Sequence, residues 1–386
     1  MITFIGNNAN EKTVTDGGRL KMRLFIDILK REGYDVGIVE LDSWKKRFLS
    51  IILNIKKAIK CSDTIVIMAG PKGCRFIIPI VKIFNKKKKT RVVFCPVGVG
   101  TFDKLIKSLK PEQVQEFVNC KNFYGIKDEK MRKTLESFDY VCPENDIQIN
   151  LYRTFYGLNN LCIIENFRDI DIKKKSYFKE NEIFKIVYAS RVKEYKGILD
   201  LMEVINDIND LRGFNVQLDI FGDNQLNDDN KKRFDELINK NINYYGAIST
   251  DEINEKIRSY DLFCLPTKYY GEGTSGALVE SMIAGTPALV SSYSQAKTII
   301  SDNVNGFIFE MGSKEDLRKR LIEIIEKKDE LEKIGIAAQA SAQKYTYQYN
   351  RKIFLKIMTG DEKWKYWLLC LAVLTHMVHL DIYTML

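Results

Sequence analysis

Short runs of apolar, β-branched residues alternate along the chain with longer segments whose apolar positions recur every three or four residues. The longer segments, such as GGRLKMRLFIDILKREG at 17–33, have the spacing of amphipathic helices. Regular alternation of strand and helix predicts a parallel sheet that is covered by helices on both faces. The strands predicted in the first half are ITFIG (2–6), DVGIVEL (35–41), TIVIMAG (64–70), RVVFCPVG (91–98), DYVCPE (139–144) and LCIIENF (161–167).

The same pattern begins again after a charged, irregular stretch at 168–182, RDIDIKKKSYFKENE. We therefore predict two Rossmann-like, doubly wound α/β domains that are joined near residue 170. Ligands of such sheets bind beyond the carboxyl ends of the strands, so two facing domains enclose a cleft suited to two substrates. The strands predicted in the second half are FKIVYAS (184–190), VQLDIFG (216–222), INYYG (242–246), DLFCLP (261–266), TPALVS (286–291) and NGFIFE (305–310).

Four segments follow from this pattern. Residues 1–168 are predicted as the N-terminal domain, 169–345 as the C-terminal domain, and 346–360 as a terminal helix that packs back toward the N-terminal domain. Residues 361–386 form an apolar, aromatic tail, whose charge-free run is shorter than the roughly 20 residues that span a bilayer. An interfacial anchor, a docking segment for a partner and sequence foreign to the ancestral domain all stay open for this tail.

The composition indicates which class of protein the chain belongs to. The 386 residues are 45% hydrophobic and 29% charged, which is typical of a soluble globular protein. The first residues, MITFIG, run directly into strand-like sequence, so we expect no secretion signal. Eight cysteines without a C-x-x-C pair favour buried thiols in a reducing compartment, and hence a cytoplasmic location.

The net charge of +9 is compatible with nucleic acid, an anionic membrane face or phosphorylated substrates. No nucleic-acid-binding motif accompanies the charge, which argues against nucleic acid as a partner.

The most informative stretch is EGTSGALVE at 272–280, which follows the predicted strand DLFCLP and leads into a predicted helix. Free amides at the start of a helix, together with the helix dipole, bind anions, and glycines allow a phosphate to approach the backbone closely. The residues predicted to bind the anion are Gly273, Thr274, Ser275 and Gly276.

Two carboxylates flank this loop. Glu280, about one turn into the helix, is placed to accept both hydroxyls of a ribose, and Glu272 faces whatever group the phosphates carry. This order of groups fits a nucleotide-sugar. Paired carboxylates also serve glycoside hydrolases as acid and nucleophile, but the anion site between them argues against a hydrolase pair.

Two cations follow the strand FKIVYAS at the same edge of the predicted sheet. Arg191 and Lys196 there can neutralise a diphosphate and the charge that develops on a leaving group, although an ordinary solvated pair is the alternative. The sequence DID at 169–171 mimics a metal-binding D-x-D motif, but such a pattern is common by chance. With Arg191 and Lys196 available for the diphosphate, we predict that no metal is needed.

The segment YYGEGTSGALVESMIAGTPALVS resembles the E-x7-E signature of the retaining glycosyltransferases of family 4, the "group 1" transferases, which have the GT-B fold. The resemblance runs over roughly residues 2 to 358 and is closer in the C-terminal half. Further similar segments, in the family's order, are TDGGRLKMRLFIDILKREGYDV (15–36), SRVKEYKGILDLMEV (190–204), IFGDN (220–224), YYGAIS (244–249) and NGFIFEMGSKEDLRKRL (305–321).

The resemblance implies a metal-independent, cofactor-free hexosyltransferase that retains anomeric configuration. Its donor would be a nucleotide-diphosphate sugar and its acceptor a saccharide or polyprenyl-linked saccharide, in bacterial capsule, exopolysaccharide or lipopolysaccharide synthesis. Glu272, Arg191 and Lys196 take the catalytic roles, and Glu280 and the 273–276 loop bind the donor. The remaining assignments are Gly17, Gly18, Tyr245 and Ile248 to the donor side, and Asp16 and Gly98 to the acceptor side, where residues 1–168 form the acceptor-side domain.

The chain departs from the family's pattern in the positions of its histidines. The family often has an N-domain histidine near the reacting sugar, whereas this chain has only His376 and His379, both in the tail. A hydrolase or epimerase of nucleotide-sugars with the same fold stays an alternative, as does a non-catalytic scaffold that binds nucleotide-sugars.

A basic, apolar segment adds a membrane hypothesis. SWKKRFLSIILNIKKAIK at 43–60 can lie on an anionic bilayer or form the second Rossmann helix with its apolar side buried, and we favour the helix as its main role. The excess positive charge suits peripheral contact with the inner face of the plasma membrane.

Overall fold

The computed structural model describes residues 1–7, 17–42, 46–69, 71–87, 89–96, 102, 109, 111–119, 129–177, 183–212, 214–249 and 252–360. Two predicted site residues, Asp16 and Gly98, lie outside these ranges, and so does the tail 361–386.

The described part of the N-terminal half forms a parallel sheet of five strands in the order β2-β1-β3-β4-β5. The central strands β1 and β3 are buried along their whole length, and successive residues such as Phe4 and Ile5 pack into cores on opposite faces. Burial on both faces explains why these strands are continuous apolar runs. The strands are β1 Ile2–Gly6, β2 Val36–Glu40, β3 Thr64–Met68, β4 Arg91–Phe94 and β5 Tyr140–Val141. The helices of this half are α1 Gly17–Arg31, α2 Phe48–Cys61, α3 Pro71–Phe84, α4 Pro111–Val118, α5 Glu129–Leu135 and α6 Asp146–Tyr156.

The C-terminal half forms a second parallel sheet, with six strands among the described residues, in the order β11-β10-β9-β6-β7-β8. The chain runs outward from β6 to one side and then from β9 to the other, so the strand order reverses between β6 and β9. Ligands of doubly wound sheets bind at this reversal. The strands are β6 Phe184–Ala189, β7 Val216–Phe221, β8 Ile242–Tyr244, β9 Leu262–Leu265, β10 Ala288–Ser291 and β11 Phe307–Phe309. The helices are α7 Ile198–Arg212, α8 Asp228–Leu237, α9 Ile253–Arg258, α10 Gly276–Ala284, α11 Ala296–Ile299, α12 Lys314–Glu326, α13 Leu331–Ala342 and α14 Tyr347–Thr359.

All the predicted strands are confirmed except LCIIENF at 161–167, for which the prediction is wrong. This segment pairs with β5 only through a single bridge between Val141 and Leu161. Its apolar residues are instead used in the connection to the second domain, where the amide of Arg168 donates to the carbonyl of Tyr345 at 2.8 Å. Within the segment, the amides of Cys162 and Ile164 donate to the carbonyls of Val141 and Pro143. Ile164 and Phe167 are buried in the core beside α1, which explains the apolar, strand-like composition.

The chain passes between the two halves twice, near residue 168 and again near residue 346, and the two crossing segments lie side by side. A parallel bridge joins Arg168 to Thr346, and α14 then packs against α1, where the ring of Phe354 meets that of Phe25 edge-on at 4.8 Å. The carboxylate of Glu32, just after α1, accepts hydrogen bonds at 2.7 Å from Arg351 and from the hydroxyl of Tyr347 on α14. The domain boundaries that we assign from the sequence stay predictions.

Of the free cysteines in the described ranges, Cys74, Cys95, Cys142 and Cys264 are buried as the sequence predicts, whereas Cys162 is half-buried and Cys61 is exposed. Among the helices that the structure describes, none combines the length and the apolar character that crossing a bilayer requires.

The connection between the halves carries a half-buried acid, Glu165. Burial raises the pKa of Glu165 to about 7; the cations Lys344 and Lys21 oppose this rise, and Asp146 and Glu144 add to it. The folded chain therefore holds this proton more tightly than the unfolded chain, whose carboxyl has the ordinary pKa of 4.5. Stability linked to Glu165 is greatest at low pH and is lost as the pH rises toward and through about 7.

We expect Glu165→Gln to raise the melting temperature at about pH 8, because the variant avoids ionising a buried carboxyl, at a gain of up to about 3 kcal/mol. The gain should shrink to a small fraction at about pH 5. Thermal unfolding at both pH values tests this, with Glu236→Gln, at an exposed position, as the control. An equal shift of the melting temperature at both pH values would contradict the account.

Candidate active site

A cavity of about 320 Å³ lies where the strand order of the C-terminal sheet reverses, between the turn after β6 and the loop after β9. The N-terminal domain closes it with the start of α1 and with Glu144. One predicted donor-side residue, Tyr245, is not among the lining residues; its ring stacks on Phe221 at 5.0 Å and is 55% exposed. The predicted site residues that line the cavity are Gly17, Gly18, Arg191, Lys196, Ile248, Glu272, Gly273, Thr274, Ser275, Gly276 and Glu280.

The turn after β6 brings Lys196 to the cavity. The hydroxyl of Tyr188, inside β6, donates to the carbonyl of Arg191 at 2.8 Å, and a 3-10 turn, Glu194–Lys196, follows. Gly197 ends this turn with a left-handed φ of +73°, and a Cβ atom there would lie 1.9 Å from the carbonyl oxygen of Pro266. Only glycine therefore allows the loops after β6 and β9 to approach this closely.

Lys196 and Glu272 form an ion pair across these two loops. The ammonium of Lys196 donates to both carboxylate oxygens of Glu272, at 2.8 and 2.7 Å, and the two side chains are only 6% and 15% exposed. Burial raises the pKa of the neighbouring phenols Tyr188 and Tyr293, and the Glu272 carboxylate raises both further. The phenols therefore stay neutral beside the ion pair.

The helix α10 presents its amino end to the cavity. Ser275 is the N-cap residue, and its side chain makes no capping hydrogen bond, so the first-turn amides are left for another acceptor. The side-chain amide of Asn166 donates to the carbonyl of Thr274 at 2.7 Å and fixes this loop to the inter-domain connection. An uncapped helix start with adjacent glycines is suited to bind a phosphate.

Glu280 lies one turn into α10 and is paired with Arg168. The Nε atom of Arg168 donates to Glu280 Oε1 at 2.6 Å, and Arg168 also donates to Asn166 Oδ1 at 3.0 Å. The other end of the guanidinium lies over the helix start, because a Cβ atom on Gly276 would be 1.6 Å from Arg168 Nη2. Arg168 thus holds the Glu280 carboxylate and places positive charge beside the predicted phosphate site.

Two charged lining residues, Arg168 and Glu144, are absent from the sequence-based prediction. Arg168 directly follows the apolar run LCIIENF, and Glu144 is the last residue of the run DYVCPE. Position at the end of such a run is the signal that could have found them.

The D-x-D aspartates have other partners. Asp169 pairs with Arg31, and Asp171 accepts a hydrogen bond from Gln348 at 2.8 Å. Across the ranges that the structure covers, no three His, Cys, Asp or Glu side chains come together as metal ligands.

The C-terminal half of the chain, residues 169–341, matches the family model described as glycosyl transferases group 1. The resemblance to the group 1 glycosyltransferases is confirmed over this segment. Two curated relatives from Methanocaldococcus jannaschii, the uncharacterized glycosyltransferases MJ1069 and MJ1178, are 24% and 23% identical over 164 and 236 residues. Those matches cover 42% and 56% of this chain and span 41% and 64% of the relatives' own lengths.

Solved structures resemble the whole two-domain arrangement. Anabaena HepE in complex with UDP-glucose has a TM-score of 0.66 at 14% identity, over 94% of this chain and 100% of that chain. Sucrose-phosphate synthase from Thermosynechococcus elongatus scores 0.70 at 12% identity, over 92% and 97%. A glycosyltransferase from Rickettsia africae scores 0.65 at 15% identity, over 93% and 99%. The predicted GT-B fold is confirmed by these likenesses.

We expect Arg168→Ala to weaken binding of a nucleoside diphosphate about tenfold, since a charge-assisted hydrogen bond contributes about 1.5–3 kcal/mol. The variant loses both the positive charge beside the helix start and the partner that orients Glu280. Titration calorimetry with UDP, GDP and ADP measures the change, and Arg351→Ala, which removes an arginine paired with Glu32 outside the cavity, is the control. Unchanged affinity in Arg168→Ala would show that the residue is only a structural link.

Proposed function

Because residues 169–341 match the glycosyl transferases group 1 family, we propose that this protein transfers a hexosyl group from a nucleotide-diphosphate sugar to a saccharide or polyprenyl-linked saccharide acceptor. The proposal includes retention of anomeric configuration and independence of metal. The proposed setting is the assembly of a bacterial surface polysaccharide such as a capsule, an exopolysaccharide or a lipopolysaccharide.

The observation that carries the proposal is the convergence of one helix start, three cations and the carboxylates Glu272 and Glu280 on a single cavity. The uncapped amides of α10 suit the diphosphate, together with Arg191 and Lys196. Glu280 suits the ribose hydroxyls, and Glu272 suits the sugar. Each carboxylate binds a different cation, Glu272 to Lys196 and Glu280 to Arg168, which does not favour a hydrolase pair acting on one bond.

In the proposed reaction, the bond between the anomeric carbon and the diphosphate oxygen breaks as the acceptor hydroxyl approaches from the same face. The acceptor proton passes to the departing diphosphate, and the acceptor oxygen bonds to the anomeric carbon. Arg191 and Lys196 stabilise the negative charge that grows on the diphosphate, and Glu272 stabilises the positive charge that grows on the sugar. Two fixed cations neutralise the leaving group, which is why we propose that no metal is required.

Uracil is the first nucleobase to test. HepE, which shares this fold, was crystallised with UDP-glucose. A thermal-shift comparison of UDP, GDP, ADP and their sugars ranks the donors, because a ligand of the folded state raises the melting temperature by mass action.

We expect Lys196→Ala and Glu280→Ala each to lower transfer at least about a hundredfold, since a lost transition-state or donor contact of this kind costs about 10²–10³ in rate. The assay measures transfer from the best-binding donor to octyl glycosides in the presence of EDTA, because the proposal excludes a metal.

Matched controls remove the same residue types outside the cavity. Lys314 and Glu203 pair with each other at 2.8 Å on the surface, so Lys314→Ala and Glu203→Ala should keep wild-type transfer. Wild-type turnover in folded Lys196→Ala or Glu280→Ala would count against the site. Free sugar or isomerised donor without an acceptor would favour a hydrolase or epimerase, and donor binding without turnover would favour a scaffold.

The proposal places the enzyme at the inner face of the plasma membrane, and helix α2 supports this. Its inner side packs into the N-terminal core through residues such as Ile51 and Ile55, so it is also the second Rossmann helix. Its outer side exposes Leu49 and Leu53, 74% and 63% accessible, near a row of lysines. The exposed basic residues along this helix and before it are Lys46, Arg47, Lys56, Lys57 and Lys60. Exposed leucines beside lysines suit contact with an anionic lipid surface.

We expect the double variant Leu49→Ser, Leu53→Ser to reduce binding to vesicles that contain anionic phosphatidylglycerol by at least about tenfold, since each leucine side chain contributes about 1.5–3 kcal/mol when it is fully buried. Vesicle co-sedimentation measures the partition. Ile336→Ser, which removes an apolar side chain 53% exposed in the C-terminal half, is the control. Equal partition of the double variant and the wild type would contradict the membrane contact.

A further inference from the structure

A buried ion pair lies on the N-terminal wall of the cavity. Lys21 on α1 donates to Glu144 Oε1 at 2.7 Å, and the two side chains are 3% and 9% exposed. Lys21 also approaches the carbonyl of Ile164 at 3.4 Å and the ring of Phe25 at 5.5 Å. The ammonium is therefore enclosed by the domain, and the carboxylate is the end of the pair that reaches the cavity.

The second carboxylate oxygen of Glu144 is open toward the other domain. Oε2 lies 3.7 Å from the position that a Cβ atom would take on Gly273, the residue next to Glu272. Among the described residues, the only side chain that hydrogen bonds to the Glu144 carboxylate is Lys21, and it uses Oε1. A carboxylate can accept several hydrogen bonds, so Oε2 keeps unused acceptor capacity at the cavity wall.

Hydrogen bonds to neighbouring residues hold the turn that carries Glu144. The side chain of Gln148 accepts the Glu144 amide at 2.9 Å, and Asn145, the next residue, caps α6 by accepting from the amide of Gln148. Asn145 also accepts a hydrogen bond from Gln295 of the C-terminal domain at 3.1 Å. Glu144 therefore stands on a turn that is held by both domains, with little freedom to turn away from the cavity.

Stability does not account for this pair. Taking two charges out of water costs about as much as their attraction returns, and apolar side chains of similar volume often replace such pairs without loss. A buried carboxylate with one oxygen bonded and the other facing a cavity is the arrangement expected of a group that binds a ligand.

We propose that Glu144 is a substrate-binding carboxylate from the N-terminal domain, which accepts a hydrogen bond through Oε2 from a hydroxyl of a sugar in the cleft. This inference rests on the proposed function. A neutral hydroxyl is the suitable partner, because a carboxylate attracts a hydrogen-bond donor and repels a phosphate. Lys21 is a positioning residue that keeps the carboxylate in place and balances its charge.

The hydroxyl belongs either to the sugar of the donor or to the acceptor, and two measurements separate these sources. The first compares the dissociation constants of UDP, GDP and ADP with those of UDP-glucose, GDP-mannose and ADP-glucose. The second compares hydrolysis of the donor by water with transfer to octyl glycosides.

The test uses two variants of the full chain. Glu144→Gln keeps the shape of the side chain, and the double variant Lys21→Met, Glu144→Leu removes both charges together, so that no buried charge is left without a partner. Both should bind the nucleoside diphosphate as the wild type does. If the donor sugar is the partner, the dissociation constant of the nucleotide-sugar rises about tenfold in the double variant and less in Glu144→Gln, whose amide oxygen still accepts. If the acceptor is the partner, donor binding and hydrolysis stay unchanged and the KM for octyl glycosides rises by a similar factor.

The control is Glu32→Gln, since Glu32 is paired with Arg351 at 2.7 Å and does not line the cavity. It should match the wild type in every assay. A folded double variant that keeps wild-type nucleotide-sugar affinity and wild-type transfer overturns the role of Glu144 and leaves the proposed function standing. A wild-type protein that binds none of the nucleotides or nucleotide-sugars overturns the proposed function itself, and this inference with it.

Discussion

The ion pair between Lys196 and Glu272 joins the two loops that meet where the C-terminal sheet reverses its strand order. Its two hydrogen bonds, at 2.8 and 2.7 Å, require the loop after β6 to approach the loop after β9 within van der Waals contact. Gly197 permits that approach, because any side chain at this left-handed position would collide with the Pro266 carbonyl. The loop after β9 also leads into α10, so it positions the uncapped start of this helix and the Glu280 carboxylate. A partly buried ion pair adds little to net stability, so its value lies in the geometry and the charge that it sets.

Two residues of the connection between the domains, Asn166 and Arg168, line this site. Arg168 pairs by its backbone with the returning chain at Tyr345 and Tyr347, and by its side chain with Glu280. Asn166, two residues earlier, holds the loop at Thr274. Arg168 and Asn166 thus link the loop and helix that carry Thr274 and Glu280 directly to the place where the chain crosses between the domains. The N-terminal wall contributes Glu144 from a turn that Gln295 of the other domain also contacts.

The sheets could be predicted from the sequence because their strands are short apolar runs that are buried on both faces and separated by amphipathic helices. The exception, LCIIENF, is apolar because Ile164 and Phe167 are buried in the core beside α1, although the segment forms only a single bridge with β5. The loop at 272–280 was recognisable because a strand, a glycine-rich turn and a helix follow one another locally in the sequence. Position at the end of a strand-like run marks Arg168 and Glu144 as candidates, but their pairing could not be predicted, because their partners Glu280 and Lys21 are 112 and 123 residues away along the chain. Such pairs are created by the docking of elements, which periodicity does not encode.

The central claim is that a nucleoside diphosphate binds at the start of α10 between the two domains. A crystal structure of the protein with the best-binding nucleoside diphosphate tests it most directly. We predict phosphate oxygens within hydrogen-bond distance of the amides around Ser275 and Gly276 and of the Lys196 ammonium, with the ribose on Glu280. A nucleotide bound elsewhere, or bound here with Lys196 and Glu280 turned away from it, would contradict the account.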